Sequence, residues 1–550
     1  MFAEQDVFAT PYAPTLPKLL AWCVKAHGER PFLIEGALRL SYADAERESA
    51  KLAAGLLALG IGKGTRVGIL MPNRADFVLV WLAAARIGAL TLPLSTLFQP
   101  RELGDVLRQA DIDTLITVDR YMGHEYLERL ERAVPGLAAP RTTTSGGPMR
   151  FASHPYLRRI VVRSGEGGSR DWAAEVPDGS RFDRDFLAAV EEQVSPADLL
   201  LAICTSGTTA EPKIVMHTHA TVTRPPWSYV PKLDLRRDDR NYSGMLFFWI
   251  GGFNVNLMPV ICAGAAMVFA PTTDPDDVLD AMVAARVTRV SMWIVQRLAL
   301  RERAKARGLD LSFVRQGLWD PTDAEGKPIP ENRRVAGPMG MTENFGMHSV
   351  CRPDEILDPK HGGSFGRQMP GVERRVLDPE TGREVEPGTV GELQLRGFSL
   401  MQGYYKRERA DVFTPDGWFP TGDLVRLVDG YLFFHGRRND MIKTSGANVS
   451  AREVEVQLER CPGVREAIVF GIPDPVRGEI VAAVLVPSDG QRVDVEAVRL
   501  RIKEELSSFK LPQRIEVAAY EAIPRTASGK PIKGRLLEAL VSHPAAGSGA

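Results

Sequence analysis

Leu199-Leu200-Leu201-Ala202-Ile203-Cys204-Thr205-Ser206-Gly207-Thr208-Thr209-Ala210-Glu211-Pro212-Lys213 is the stretch on which the reading of this chain turns. It opens as a short apolar run, the pattern of a buried strand. It then changes abruptly to hydroxyls, one glycine and a lysine behind a proline. Hydroxyl and backbone N–H donors crowded into a turn, with one ammonium at its end, suit a polyphosphate. This is not the familiar loop with glycine directly before Lys-Ser/Thr, because Glu211-Pro212 stands before Lys213. Read alone, the stretch fits a solvated connection equally well. The segments downstream separate the two readings.

Met339-Gly340-Met341-Thr342-Glu343-Asn344 carries a hydroxyl and a carboxylate on a Gly-punctuated loop. Such a pair can meet a phosphate and a Mg²⁺ ion, although Thr-Glu also opens many capped helices. Gly417-Trp418-Phe419-Pro420-Thr421-Gly422-Asp423 places a carboxylate on a tight turn, where it can accept two ribose hydroxyls or close an Asx turn. Gly436-Arg437-Arg438-Asn439-Asp440 is polar enough for an exposed hinge. Near the end, Thr526-Ala527-Ser528-Gly529-Lys530 holds a lysine in a small-residue turn, by default a solvated charge.

In this order, these segments resemble the adenylate-forming superfamily of acyl- and aryl-CoA synthetases, luciferases and carrier-linked adenylation domains. The resemblance runs over most of the chain. It implies ATP and CoA as substrates and Mg²⁺ as cofactor. It places Thr205, Ser206, Gly207, Thr208, Thr209 and Lys213 on the phosphates, and Glu343 with Thr208 on the metal. Met339, Gly340, Thr342, Asp423 and Arg437 would hold the rest of the nucleotide, and Lys530 would be the catalytic lysine. Asn439 would be the hinge pivot, and Lys443, Ser445 and Gly446 would face the thiol. His217, Trp249 and Gly252 would border the acyl group. The chain departs from the family pattern at Ala210, where glycine is usual, at Met339, where an aromatic is usual, and at Asn439, where Asp or Lys is usual. The Gly/Ala/Pro-rich adenine loop is also altered, to Gly317-Leu318-Trp319-Asp320-Pro321 and Gly326-Lys327-Pro328-Ile329-Pro330.

A chain of 550 residues exceeds one core and predicts at least two domains. Alternating helix and strand patterns predict an α/β fold. A large multi-layer N-terminal domain with a small β-barrel is expected over residues 1–436. A hinge at 437–440, a small mobile α+β domain at 441–540 and a disordered tail at 541–550 follow. Ser41 should cap a helix to about Ala58, and Asn73 a helix toward Gly88. Residues 135–180 read as a surface insertion, and the apolar stretch 245–271 as a buried strand–turn–helix.

Hydrophobic residues make up 44% and charged residues 25%, with a net charge of −1, so neither a nucleic-acid groove nor an anionic-membrane surface is indicated. Five scattered cysteines fit neither zinc nor a disulfide framework. No secretory signal or membrane span is read, and a cytoplasmic protein, with a homodimer as one option, is expected.

The function expected is an acid–CoA ligase working through an acyl adenylate. One competing reading is an acyl-AMP ligase that loads a carrier-protein thiol, although no extra insertion stands out between Glu343 and Gly417. Another is a non-catalytic nucleotide-binding relative, against which Lys213, Glu343, Asp423, Arg437 and Lys530 stand together. A dehydrogenase ranks below both, since no strand–Gly-x-Gly-x-x-Gly–helix unit is read.

Overall fold

The computed structural model describes residues 9–139, 148–163, 170–205, 212–323, 326–437, 441–488, 490–525 and 531–542. The apolar strand Leu199–Thr205 lies inside a seven-stranded sheet. On one side it runs parallel to Leu90–Pro93, beyond which come Arg66–Leu70, Thr114–Thr117 and Arg159–Val162. On the other side the chain doubles back antiparallel as Lys213–Thr218, and Gly403–Tyr404 pairs at the edge. A second, five-stranded sheet contains Pro31–Glu35, Arg240–Ser243, Ala266–Phe269 and Arg289–Ser291 in parallel, with Leu38–Ser41 antiparallel at its edge.

One continuous core joins the two sheets to the helices Tyr42–Ala58 and Ala75–Arg86. Ser41 caps the first helix through a full capping box with Asp44, as its sequence predicts. The second is apolar nearly all round, which is the pattern of a helix buried on every side. Its one buried cation, Arg86, is paired with Glu46 and Glu191. Asn73 does not cap this helix, whose N-cap is Arg74. Its amide instead takes the N–H of Phe247 and donates to the carbonyl of Met245, pinning the loop before Trp249.

Two further expectations are corrected. The region 135–180 contains the strand Arg159–Val162, which completes the seven-stranded sheet with Ile160 and Val161 buried. Three bulky apolar residues, Ile160, Val161 and Val162, amid Gly, Ser and Arg give too short a periodic signal to be read alone. The stretch 245–271 runs helix before strand: Ile250–Gly252, the wide turn Phe253–Leu257, Met258–Ala263, and then Ala266–Phe269.

The rest of the large domain is antiparallel. Met339–Met341, Gly346–Val350 and Arg367–Gln368 form one sheet; Val372–Leu377, Gly391–Gly397, Phe419–Val428 and Tyr431–Arg437 form another. Backbone hydrogen bonds between Leu432 and residues 365 and 366 join them around one core, giving the small barrel-like unit. The smaller C-terminal domain has a five-stranded sheet centred on Val464–Asp474 and Gly478–Pro487, with helices Ala451–Glu459 and Val495–Glu505 packed on it. Among the described residues, no helix is long and apolar enough to cross a membrane.

Candidate active site

A cavity of about 1540 Å³ opens where the seven-stranded sheet, the barrel-like unit and the C-terminal domain meet. It exceeds the volume that one small ligand fills. Lys213 starts its strand at the cavity wall, half-buried, with Nζ 5.0 Å above the ring of Tyr404. The hydroxyl of Tyr404 donates to Glu343 Oε1 at 2.8 Å. One aromatic side chain thus links the cation after the phosphate segment to the carboxylate of the Thr-Glu loop. Nothing local in Gly403-Tyr404-Tyr405 points to this link. The missing signal is the pairing of Gly403–Tyr404 with Val215 and Met216, which no local pattern reveals.

Glu343 is held by a strained turn. Thr342–Asn344 forms a single 3₁₀ turn, and Phe345 follows at φ +44°. A bulky residue in the left-handed region costs about 1–3 kcal/mol and needs support from its surroundings. Asn254 Nδ2 donates to the Phe345 carbonyl at 2.5 Å. Ser399 donates to Asn344 Oδ1 at 2.7 Å, and the Met401 N–H donates to the Glu343 carbonyl at 2.7 Å. These bonds hold the loop so that Gly340, Thr342 and Glu343 line the cavity.

Met339 lies instead in the antiparallel core, 5% exposed, and does not line the cavity. Nor do residues 317–321 or 326–330. The small-residue wall stands immediately before the Thr-Glu strand, at Ala336, Gly337 and Pro338.

His217 is fully buried, with Nε2 2.9 Å from the Thr342 carbonyl and its ring against Phe345. It braces the turn from behind and does not line the cavity. Trp249 and Gly252 do line it. A Cβ on Gly252 would sit 2.2 Å from the Leu246 carbonyl oxygen, so only glycine fits there. Asp423 is buried opposite Arg437 in the antiparallel register, while its neighbours Thr421 and Gly422 reach the cavity.

From the C-terminal domain, Lys443, Gly446, Ala447 and Asn448 complete the wall. Gly446 has φ +81°, and a Cβ there would lie 2.3 Å from the Trp293 indole. Its neighbour Ser445 turns at φ +48° without lining the cavity. Trp293 is the other residue missed by sequence reasoning, since nothing local distinguishes it from a packed aromatic.

Thr205 ends its strand at the cavity. Ser206, Gly207, Thr208, Thr209, Asn439 and Lys530 lie outside the described residues. The flanks of Lys530, Arg525 and Pro531, bridge each other, and neither lines the cavity.

For Mg²⁺, the donor chemistry fits. The ion usually takes one or two carboxylates plus phosphate oxygens and water, and Glu343 offers such a carboxylate at the cavity that Thr205 and Lys213 also line. No cage of three or more His, Cys, Asp or Glu occurs among the described residues.

Burial pushes four imidazoles well below their ordinary value: His27 to about 4, His217 to about 3, His219 to about 4 and His348 to about 3. Unfolded, each would bind a proton near 6.5, which the folded form refuses until pH falls by two or more units. Unfolding therefore takes up protons in that window, and stability rises with pH across it. With four protons taken up, the unfolding free energy should drop by about 5 kcal/mol for each pH unit lost near pH 5. Urea midpoints followed from neutral to acidic pH should fall steeply below pH ~6. A flat profile down to pH ~5 would contradict the neutral, buried assignment of these rings.

The comparisons agree with this geometry. The family profile "AMP-binding enzyme" matches residues 20–405, and "AMP-binding enzyme C-terminal domain" matches residues 453–530. The chain is 30% identical to a feruloyl-CoA synthase from Amycolatopsis sp, over 91% of this chain and 94% of that one. It is also 30% identical to an indoleacetate–CoA ligase from Aromatoleum aromaticum, over 89% of this chain and 91% of that one. Among solved structures, an o-succinylbenzoate CoA synthetase from Bacillus subtilis superposes with a TM-score of 0.72 at 22% identity, covering 94% and 98% of the two chains. The chain belongs to the AMP-binding, adenylate-forming enzyme family.

Proposed function

We propose that this chain is an ATP-dependent carboxylic acid–CoA ligase with domains at 1–436 and 441–540 about a hinge at 437–440. The observation that carries the reading is the shared cavity. Lys213, Tyr404 and Glu343 stand on one wall, and Lys443 and Gly446 of the C-terminal domain stand on another.

In the first step a carboxylate oxygen of the acid attacks the α-phosphorus of ATP. The bond to the bridging oxygen breaks and pyrophosphate leaves. Both reactants are anions, so placed positive charge governs the barrier. Lys213 and the hydroxyls of 205–209 receive the β and γ phosphates, with Thr342 and Gly340 alongside. Glu343, with Thr208, would hold Mg²⁺, which would supply positive charge to neutralise the pyrophosphate. Asp423 and Arg437 serve the ribose, and Lys530 serves the charge on the carboxylate and α-phosphate oxygens. In the second step the sulfur of CoA attacks the acyl carbon, AMP departs and the thiol proton is released. The loop 443–446 borders the path of that sulfur, because Gly446 presents backbone where any side chain would meet Trp293.

The acid enters beside Trp249, which is half-buried at the cavity and packed edge-on to Phe248. Pyrophosphate release and CoA-thioester formation should be measured over a panel of short, medium, long, aromatic and polycyclic acids. At least one acid should give both products. No ATP cleavage with any acid would refute the reading, and turnover only with a carrier-protein thiol would favour the acyl-AMP ligase. In the same panel, Trp249→Ala should shift the preferred acid by roughly tenfold or more, since one large side chain leaves the acyl pocket. The apparent affinity for ATP should stay within about twofold. An unchanged acid profile would remove Trp249 from the acyl pocket.

A further inference from the structure

Glu102 and Lys510, 408 residues apart in sequence, meet at the edge of the cavity where the large domain and the C-terminal domain close on each other. Their residues are 6% and 5% exposed. Lys510 Nζ donates to Glu102 Oε1 at 2.8 Å and to Glu453 Oε1 at 2.7 Å. Glu102 Oε2 accepts from the Gln99 N–H at 2.9 Å and from the Ser507 hydroxyl at 2.8 Å. Beside this cluster, Arg101 pairs with Glu505 at 3.0 Å and Phe509 packs edge-on to Trp249 at 5.7 Å.

Stability alone does not account for such an arrangement, because well-packed apolar residues serve a buried seam at least as well. An ion cluster divided between two domains does something apolar contact does not. Its cross-domain half, Glu102 with Lys510 and Ser507, is complete in one relative orientation. Separated, Glu102 and the Lys510–Glu453 pair are hydrated; brought together in another register, the Glu102 carboxylate would be buried without its ammonium partner, which is strongly unfavourable. Burial works against the ammonium of Lys510, yet Glu453 and Glu102 outweigh it and hold the pKa above its ordinary value. The orientation this cluster accompanies is the one in which Lys443 and Gly446 face the cavity.

We propose that Glu102, Ser507 and Lys510 form an interdomain clasp that selects the arrangement used for thiol transfer. The inference rests on the two-step reading above. These are positioning residues: they act by holding the C-terminal domain, and adenylation does not require them.

The test uses the full-length chain and two readouts. The first times each half-reaction separately: acid-dependent pyrophosphate release without CoA, and single-turnover transfer from preformed acyl adenylate to CoA. The second measures the distance between spin labels on Leu38→Cys and Leu500→Cys, both exposed and one in each domain. Lys510→Met and Glu102→Gln should each slow transfer roughly ten- to a hundredfold while leaving pyrophosphate release within about twofold. The double variant should be no slower than Lys510→Met, because both changes break one unit. Lys510→Arg should recover most of the transfer rate. Lys510→Met should also add a second label-distance population to that of the unmodified clasp. Equal slowing of both half-reactions, additive effects in the double variant, or an unchanged label distribution would each overturn the clasp. Failure of the two-step reading is distinguishable: the otherwise unmodified chain would release no pyrophosphate with any acid, while the label distances would still decide whether the clasp exists.

Discussion

Gly446→Leu should abolish transfer to CoA, by about two orders of magnitude or more, while acid-dependent pyrophosphate release remains measurable. The reason is geometric. Gly446 stands at φ +81°, which a leucine adopts only at a cost, and its missing Cβ would lie 2.3 Å from the Trp293 ring. Trp293 belongs to the large domain and Gly446 to the C-terminal domain, so the collision exists only while this face of the C-terminal domain is turned to the cavity. A side chain there would also occupy the narrow path beside the loop 443–446. The two half-reactions, timed separately in the same preparation, check the expectation. Equal loss of both, with a lowered unfolding midpoint, would mean the substitution damages the fold and would reject a specific role for Gly446.

Glu343→Gln should cost the first step instead. The amide keeps the shape of the carboxylate and can still accept the Tyr404 hydroxyl, so the strained turn at Phe345 should persist. What disappears is the negative charge at the cavity wall that Lys213 also lines. Removing one preorganised electrostatic partner of a transition state typically costs roughly two to three orders of magnitude in rate. Pyrophosphate release should fall by that amount, and the Mg²⁺ concentration needed for half-maximal rate should rise. Direct Mn²⁺ binding, followed by electron paramagnetic resonance with ATP present, should weaken in parallel. Tyr404→Phe in the same assays should have a smaller effect, about tenfold, because it deletes one hydrogen bond and keeps the ring under Lys213. If Glu343→Gln bound Mn²⁺ unchanged and lost only transfer, the carboxylate would have to be reassigned.

The order of segments along the chain was legible because each carries its signal locally. The apolar run before Thr205 became a strand and Ser41 became a cap. Where the signal was local but ambiguous, the chain went another way. Asn73 has the chemistry of a cap but uses its amide on the backbone of Met245 and Phe247, 172 and 174 residues downstream. The strand Arg159–Val162 sits in a polar region and is recognisable only by its partner Thr114–Thr117. Met339, placed on the nucleotide by resemblance, is packed into the antiparallel core, and the residues that reach the cavity there are Ala336, Gly337 and Pro338.

By itself the sequence determined the family, the α/β class and which segments carry hydroxyls, carboxylates and lysines, since motif order and hydrophobic period are properties of short stretches. Only the tertiary structure decided that Tyr404 links Lys213 to Glu343, that Trp293 faces Gly446, and that Lys510 closes on Glu102 across the domain seam. Each of these contacts joins residues far apart in the chain through side chains of unremarkable type. Their meaning comes from sheet pairing and domain orientation, which long-range burial sets and no local pattern encodes.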